Sequence, residues 1–360
     1  MRHGTGRSVT IRDVAAVSGV SVGTVSRSLN APDTVRAVTL EKVRAAIQEL
    51  GFQPDARAQN MRRRHTLTVG FIVNDILNPI HAMVFKGAEA ELREQGYWLH
   101  LVNTGGKARQ EAEAIDLLQH GRVDGLLMTI NSEQDPRCIE RLEKLRVPSV
   151  LLDRDIALEL DAVRTDHAAG MEQAVSYLLD LGHRRIALIT AGTQILPGRE
   201  RIRGFTQAFT ARGIPVPTDL IRAQSLSPDF GLRETNDLLR GPNPPTAIVA
   251  GGNQLLAGVL RAIDQQGLSI PKDLSLVTCD RTDLASVYAG SITTIERDIY
   301  EIGRTAAQLL LERLNGPPGR PARRVVLPTR LVLGRSCGPP PAHTGERRAS
   351  NAVMTPAEGA

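Results

Sequence analysis

The sequence predicts an all-α helix-turn-helix head followed by an α/β domain of two Rossmann-like lobes, each on a parallel sheet. Three observations carry this reading. The first fifty or so residues hold helical periodicity broken by one tight turn. From Thr68 onward, short apolar runs alternate with amphipathic helices. The excess positive charge lies entirely in the first region: residues 1–66 hold 11 Lys+Arg against 5 Asp+Glu, and the other 294 hold 33 against 34.

The head is read from Val9-Thr-Ile-Arg-Asp-Val-Ala-Ala-Val-Ser-Gly-Val-Ser-Val-Gly-Thr-Val-Ser-Arg-Ser-Leu-Asn30. Thr10 caps a first helix, with Asp13 at the acid position of a capping box. Val14, Ala15 and Val17 form its apolar side. Gly19 supplies the positive φ of a tight turn. Ser21 caps the second helix, and Val25 and Leu29 hold it against the first. Ala15, Gly19 and Val25 fall at the spacing of a DNA-reading helix-turn-helix. A helical hairpin in another domain would share this periodicity. The charge distribution separates the two, because a head that displaces counterions from phosphates needs local basicity. Gly19-Val-Ser-Val-Gly23 also matches G-x-S-x-G, the serine-hydrolase elbow. That chemistry needs a strand before the serine. A helix precedes it here, so Ser21 reads as an N-cap and phosphate contact.

Val43, Ala46, Ile47 and Leu50 form the stripe of a third helix ended by Gly51. Residues 53–64 are polar and basic, a linker with a brief helix. The expected organisation is therefore a head over 1–53, a hinge over 54–66, an α/β domain over 67–337 and a disordered tail over 338–360, where Pro, Ala, Thr and charge prevail. Strands are expected at 69–73, 98–102, 125–128, 149–152, 186–190, 247–250 and 275–279. Helices are expected at 80–95, 111–120, 139–145, 168–181, 200–212, 254–266 and 299–314. Buried-type strands between helices imply right-handed crossovers and parallel sheets, and their number favours two lobes. Ligands of such folds bind at the carboxyl ends of the strands. Asn78, Thr129, Asp153, Asn253 and Asp280 fall there, each with loop solvation or helix capping as the alternative role.

No run reaches the roughly 18–20 apolar residues of a membrane span, and the N-terminus lacks a signal-peptide core. A cytoplasmic protein with no membrane partner is expected. Cys138, Cys279 and Cys337 stand far apart in no metal-ligand spacing. They are expected to be reduced, with Cys337 open to exposure. Gly105-Gly-Lys107 lacks the rest of a phosphate-binding loop. No catalytic residue, metal or cofactor is assigned.

These motifs resemble those of the lac repressor/galactose repressor family of bacterial transcription regulators. The resemblance spans about residues 9 to 337 through Val9-Thr-Ile-Arg-Asp-Val-Ala15, Thr24-Val-Ser-Arg-Ser-Leu-Asn30 and Leu50-Gly-Phe-Gln-Pro54. It continues through Leu181-Gly-His-Arg-Arg-Ile186, Arg201-Ile-Arg-Gly-Phe205, Thr293-Thr-Ile295 and Leu327-Pro-Thr-Arg-Leu331. It implies a hinge helix, a two-lobed effector domain like that of periplasmic binding proteins, and a homodimer on a pseudo-palindromic operator. Val22 and Gly23 then open the recognition helix, where apolar contact with a thymine methyl would discriminate. Arg27 is the candidate for a bidentate guanine contact, with an ion pair to Asp13 as the alternative. Asn30 ends the same motif. Thr10, Ser21, Thr24 and Ser26 match phosphate-holding positions. In the hinge, Ala58 faces the minor groove, Met61 stands at an intercalating leucine, and Arg62 lies beside phosphates. In the effector domain, Arg201, Asp153, Asp280 and Thr129 match ligand contacts. Phe230 matches a stacking aromatic. Gly252-Asn253 departs from the family's Asn-Asp.

The expected function is a ligand-responsive DNA-binding regulator, in most of the family a repressor. Its expected partners are double-stranded operator DNA, a sugar or sugar-like effector, and a second copy of itself. A sugar-binding protein without a DNA role and an enzyme acting on a small polar metabolite are the alternatives.

Overall fold

The computed structural model describes residues 9–52, 65–120, 122–288 and 291–341, and the chain forms two compact units that divide between Thr66 and Leu67. The hinge residues Ala58, Met61 and Arg62 lie outside the described residues, as does the tail from 342.

The head is three helices, α1 (Ile11–Ser18), α2 (Val22–Asn30) and α3 (Ala37–Leu50), with a 3-10 turn at Pro32–Thr34. Both the backbone N–H and the hydroxyl of Thr10 donate to Asp13 Oδ2, at 2.8 and 2.7 Å. Gly19 ends α1 with φ of 68°, a conformation that costs a side-chain-bearing residue but not glycine. Val14, Ala15, Val25, Val43 and Ala46 make the core, with Leu29, Ile47 and Leu50 packed around it. Val17 does not join them; it is 47% exposed. At about 100° per residue, positions 14, 15 and 18 share a face that 17 leaves. Ser18 takes the inward place and satisfies its hydroxyl on the Val14 carbonyl at 2.6 Å.

The second unit has two lobes. In the first, β1 (Thr68–Val73), α4 (Pro79–Glu94), β2 (Trp98–Asn103), α5 (Ala108–Gln119), β3 (Gly125–Thr129), α6 (Pro136–Glu143), β4 (Ser149–Leu152) and β5 (Asp161–Thr165) follow in turn. The chain then builds the second lobe from α7 (His167–Asp180), β6 (Ile186–Ala191), α8 (Leu196–Thr210), β7 (Ile221–Gln224) and α9 (Pro228–Arg240). It continues with β8 (Ala247–Gly251), α10 (Leu255–Gln265), β9 (Ser275–Cys279), α11 (Asp283–Val287) and β10 (Thr293–Glu296). It returns through α12 (Ile299–Asn315) and β11 (Arg324–Leu327) to the first lobe, and β12 (Arg330–Val332) closes the second.

The sheets run β11-β5-β4-β3-β1-β2 and β12-β10-β9-β8-β6-β7. They share one order, and every pairing is parallel except β10 with β12. Strand positions therefore correspond between lobes, β4 with β9 and β5 with β10. The central strands are buried on both faces, as crossover helices require.

Strands β5, β7, β10, β11 and β12 and helices α9 and α11 are absent from the sequence reading. Asp161-Ala-Val-Arg-Thr165, Ile221-Arg-Ala-Gln224 and Arg330-Leu-Val332 are short and carry charge, so no apolar run marks them. The tail is also held further than expected. The Gly338 carbonyl accepts from His183 Nε2 (2.9 Å) and its N–H donates to Ser275 Oγ (3.0 Å). Among the described residues, no helix is long and apolar enough to cross a membrane.

Helices α4 and α12 cross backbone to backbone through a reciprocal pair of glycines. A Cβ on Gly87 would lie 2.1 Å from the Tyr300 carbonyl, and one on Gly303 would lie 2.0 Å from the Val84 carbonyl. Neither obstacle is a side chain that could swing away. Gly303→Ala is therefore expected to lower stability by about 1–3 kcal/mol through overpacking, read from the urea midpoint. An unchanged midpoint contradicts the close crossing.

Candidate functional site

The head presents one helix outward. The inner face of α2 is buried through Val25 and Ser28, whose hydroxyl is satisfied by the Thr24 carbonyl at 2.9 Å. The outer face shows Val22, Gly23, Arg27 and Asn30 exposed, with Thr24 and Ser26 half-buried. Ser21 is exposed and caps the helix, accepting the Thr24 N–H at 3.1 Å, while the two hydroxyls lie 2.9 Å apart. A helix, not a strand, precedes Ser21, as N-capping requires and as a nucleophile elbow does not. Asn30 Nδ2 donates to the Ser26 carbonyl at 2.8 Å. Thr10 is half-buried beside Asp13. Of the 11 basic residues in 1–66, Arg12, Arg27, Arg36, Lys42 and Arg44 lie on the described core and are exposed, against Asp13, Asp33, Glu41 and Glu49. The helical core is thus nearly neutral, and the charge excess sits in the chain flanking it.

The second candidate site is the space between the two lobes, a cavity of about 610 Å³ lined by the loops that leave the carboxyl ends of the strands. It brings together Asn78, Thr129, Asp153, Arg201, Asn253 and Asp280. Its centre is a residue with no sequence signal. Arg297 follows β10, with a side chain only 9% exposed. Its Nε donates to Asp280 Oδ1 at 2.7 Å, and its Nη1 donates both to Asp153 Oδ2 and to Thr165 Oγ1 (3.1 Å). Asp153 and Asp280 hold the same position in the two lobes, first after β4 and first after β9. Both are left-handed, with φ of 50° and 64°. Each donates its N–H at 2.9 Å across to the neighbouring strand's line, Asp153 to Val163 and Asp280 to Ile295. One guanidinium therefore joins two equivalent carboxylates, one from each lobe.

The electrostatics follow from that geometry. Burial alone would raise the Asp153 pKa, but Arg297 and His167, whose Nε2 lies 3.4 Å away, hold it well below the carboxylate range. Burial opposes the charge on Arg297, yet Asp280 and Asp153 push its pKa up. Burial lowers His81 to about 4 against the opposing pull of its bond to the Asp75 carbonyl (2.7 Å), so it is neutral near pH 7.

Arg201 is 4% exposed on α8. Its Nη1 donates to the Gly251 carbonyl at 2.6 Å, and its Nε has no partner. The lobes also meet directly: Asn253 Nδ2 donates to Asn78 Oδ1 (2.9 Å) and Gln254 Nε2 to Asp75 Oδ2 (2.7 Å). Asn78 doubles as the cap of α4.

Phe230 is placed elsewhere. It is 5% exposed in the core of the second lobe, with the Arg233 guanidinium 5.3 Å from its ring centroid. Ser227 caps α9 and turns Phe230 inward, which leaves Leu226, Ser227 and Pro228 to line the cavity. Among the described residues, no Phe, Tyr or Trp lines the cavity, and its one aromatic ring is the imidazole of His81. Sequence reasoning missed Arg297, Arg154 and Asn131. Asn131 and Arg154 each lie two residues past a strand that the sequence does mark, just beyond the residues chosen there, whereas Arg297 follows β10, which no apolar run marks. The thiols of Cys138 and Cys279 are buried and that of Cys337 half-buried, all three free.

Two comparisons of sequence and two of structure place this arrangement among known proteins. Residues 10–55 match the model of bacterial regulatory proteins of the lacI family, and residues 175–337 that of a periplasmic binding protein-like domain. The chain is 32% identical over 311 residues to the HTH-type transcriptional repressor CytR of Escherichia coli K12, covering 86% of this chain and 91% of that one. A solved lac repressor dimer bound to operator and the anti-inducer ONPF superposes with a TM-score of 0.81 at 27% identity, over 92% of this chain and all of that one. The transcriptional regulator CelR in complex with cellobiose does so with 0.69 at 29%, over 91% and 99%.

Removing Arg297 would leave two buried carboxylates uncompensated. Arg297→Ala is expected to cost about 3–5 kcal/mol in urea unfolding at neutral pH; a loss under about 1 kcal/mol contradicts the bridge. His81 gives a separate pH signature. Unfolded, it titrates near 6.5; folded, near 4. Between those values the unfolded chain binds the extra proton, so stability is complete above 6.5 and falls as pH drops toward 4. His81→Gln is expected to flatten that slope, measured as urea midpoint against pH.

Proposed function

The chain belongs to the lacI family of bacterial regulatory proteins, and we propose that it is a homodimeric repressor acting in the cytoplasm whose hold on a palindromic operator is set by a small polyhydroxylated effector in the interlobe cleft. The observation that carries this is the face of α2, which buries Val25 and Ser28 and turns Val22, Gly23, Arg27 and Asn30 to solvent. A helix so divided has one side for its own core and the other for a groove.

The roles divide by chemistry. Arg27 has the reach and the fork for guanine O6 and N7. Val22 and Gly23 offer no hydrogen bond, so discrimination at their positions rests on shape and the thymine methyl. Thr10, Ser21, Thr24 and Ser26 carry hydroxyls near the start of each helix, suited to phosphates that set register. Met61 in the hinge wedges a minor-groove step, with Ala58 against the groove and Arg62 on the backbone. Two copies on two half-sites double these contacts without a larger head.

In the cleft, Arg201 offers an unsatisfied donor while Thr129, Asn78, Asn253 and the Asp153–Arg297–Asp280 bridge offer directional polar partners. That inventory suits a sugar or sugar derivative held by its hydroxyls, without a Phe, Tyr or Trp face to stack on. An effector that binds one lobe arrangement more tightly shifts the population and, by linkage, operator affinity. No catalytic role is proposed for any cleft residue.

The test is selection of bound sequences from a random DNA pool with full-length protein, repeated with a panel of sugars. Enrichment of a short palindrome is expected. On that site, Arg27→Ala is expected to cost about 1–3 kcal/mol and relax preference at one base pair, and Met61→Gly to weaken binding without altering sugar binding. No enriched site at low salt contradicts the regulator, and equal operator affinity for Met61→Gly contradicts the hinge role.

A further inference from the structure

Glu133 belongs to no motif and lies outside the cavity wall, yet it is among the most deeply buried acids of the molecule. It sits in the loop after β3, in the first lobe, and is 4% exposed. Both its carboxylate oxygens point across to the second lobe. Oε1 accepts the backbone N–H of Leu196 at 2.8 Å, and Oε2 accepts Arg199 Nη2 at 2.8 Å. On its own side, Arg154 Nε stands 3.7 Å from Oε1.

Leu196 is the first residue of α8, and its N–H is one of the amides that no helix can satisfy internally. The residue before it, Ile195, has no side-chain oxygen, and α8 receives no side-chain cap from that position. Its cap comes from the opposite lobe instead. A carboxylate there also meets the positive end of the helix. The helix so capped carries Arg201, five residues on, whose Nη1 holds the Gly251 carbonyl and whose Nε faces no partner.

We propose that Glu133 is an interlobe latch and a positioning residue: it completes the first turn of α8 only when the lobes are together, and so links lobe closure to the pose of Arg201. When the lobes part, the carboxylate keeps Arg154 and gains water, while the Leu196 N–H loses its acceptor and Arg199 is left with the Thr193 carbonyl of its own lobe. Closure then replaces that water by a buried cap and by an ion pair whose carboxylate is buried and whose guanidinium stays partly exposed. This differs from the Asn78–Asn253 and Asp75–Gln254 contacts, which join loop to loop and leave no helix end dependent on the opposite lobe.

The latch is testable without any effector, so its failure is distinct from failure of the effector reading. Spin labels carried on unnatural side chains at the exposed positions Glu113 of α5 and Asp237 of α9, one in each lobe, report the interlobe distance in the full chain. Glu133→Ala is expected to move the distribution to longer distances and to speed hydrogen exchange at the amides of Leu196, Gly198 and Arg199. Glu133→Gln keeps an oxygen for the Leu196 N–H and loses the charge, so it is expected to lie between wild type and Glu133→Ala. Arg199→Ala is expected to shift the distribution alone but to add nothing in the Glu133→Ala background. A merely structural capping role would raise exchange and leave the distances unmoved, and that result overturns the proposal. If Glu133→Ala does not fold, wild-type distances in both Glu133→Gln and Arg199→Ala overturn it equally.

Discussion

Arg297 between Asp153 and Asp280 is the interaction on which the effector unit depends. Burying three charged groups together is costly unless each satisfies the others. Here the donor geometry does so, with Nε and Nη2 donating to the two oxygens of Asp280, Nη1 to Asp153, and one bond more from Nη1 to Thr165. The two aspartates stand at corresponding places because the two sheets share one strand order. Without a cation between them, closing the lobes would bring like charges together in a low dielectric. The arginine that prevents this comes from the segment joining β10 to α12, where the chain passes from one lobe to the other. The cation that joins the two carboxylates is therefore carried on a segment that crosses between the lobes.

That bridge also shapes what the cleft can recognise. Asp153 is occupied by Arg297, the Thr165 N–H and His167, and Asp280 chiefly by Arg297. Neither is a free carboxylate awaiting a cation. Arg201 is different, since its buried Nε has no acceptor. With Phe230 turned into the core, the cavity offers directional polar groups rather than a stacking surface. A ligand rich in hydroxyls meets such walls better than a planar one does. In the proposed reading, the head divides the work similarly: Arg27, the one arginine of α2, and the shape of that helix's outer face would read the groove, and the basic residues flanking the helical core would supply attraction to phosphate.

Much of this was legible in the sequence, for identifiable reasons. The head's helices announce themselves through caps and turn glycines, local signals that need no tertiary knowledge: Thr10 with Asp13, Ser21, Gly19 and Gly51. The central strands are apolar runs because both faces are covered. Edge and crossover strands such as β7, β11 and β12 carry arginines and lack that mark. Val17 was misplaced because the apolar stripe of an eight-residue helix is too short to fix its phase, and Ser18 could be buried once its hydroxyl bonded back to Val14. Phe230 was misplaced because a resemblance gives a position in sequence, whereas its direction depends on the cap at Ser227. Glu133 was invisible because its cross-lobe partners lie more than sixty residues away, and Arg297 because Asp153 is 144 residues away and even Asp280, 17 away, is reached only through the pairing of β9 with β10.

In the proposed function, operator affinity depends on the lobe arrangement that the Asp153–Arg297–Asp280 bridge holds. The direct measurement is operator affinity of full-length Arg297→Gln against wild type, on the selected site and with both shown to be folded. The account predicts a change of roughly fivefold or more with base preference unaltered, since no DNA-facing residue has been touched. Equal affinity in a folded variant would contradict it, and would leave the cleft and the head as neighbours in sequence without coupling.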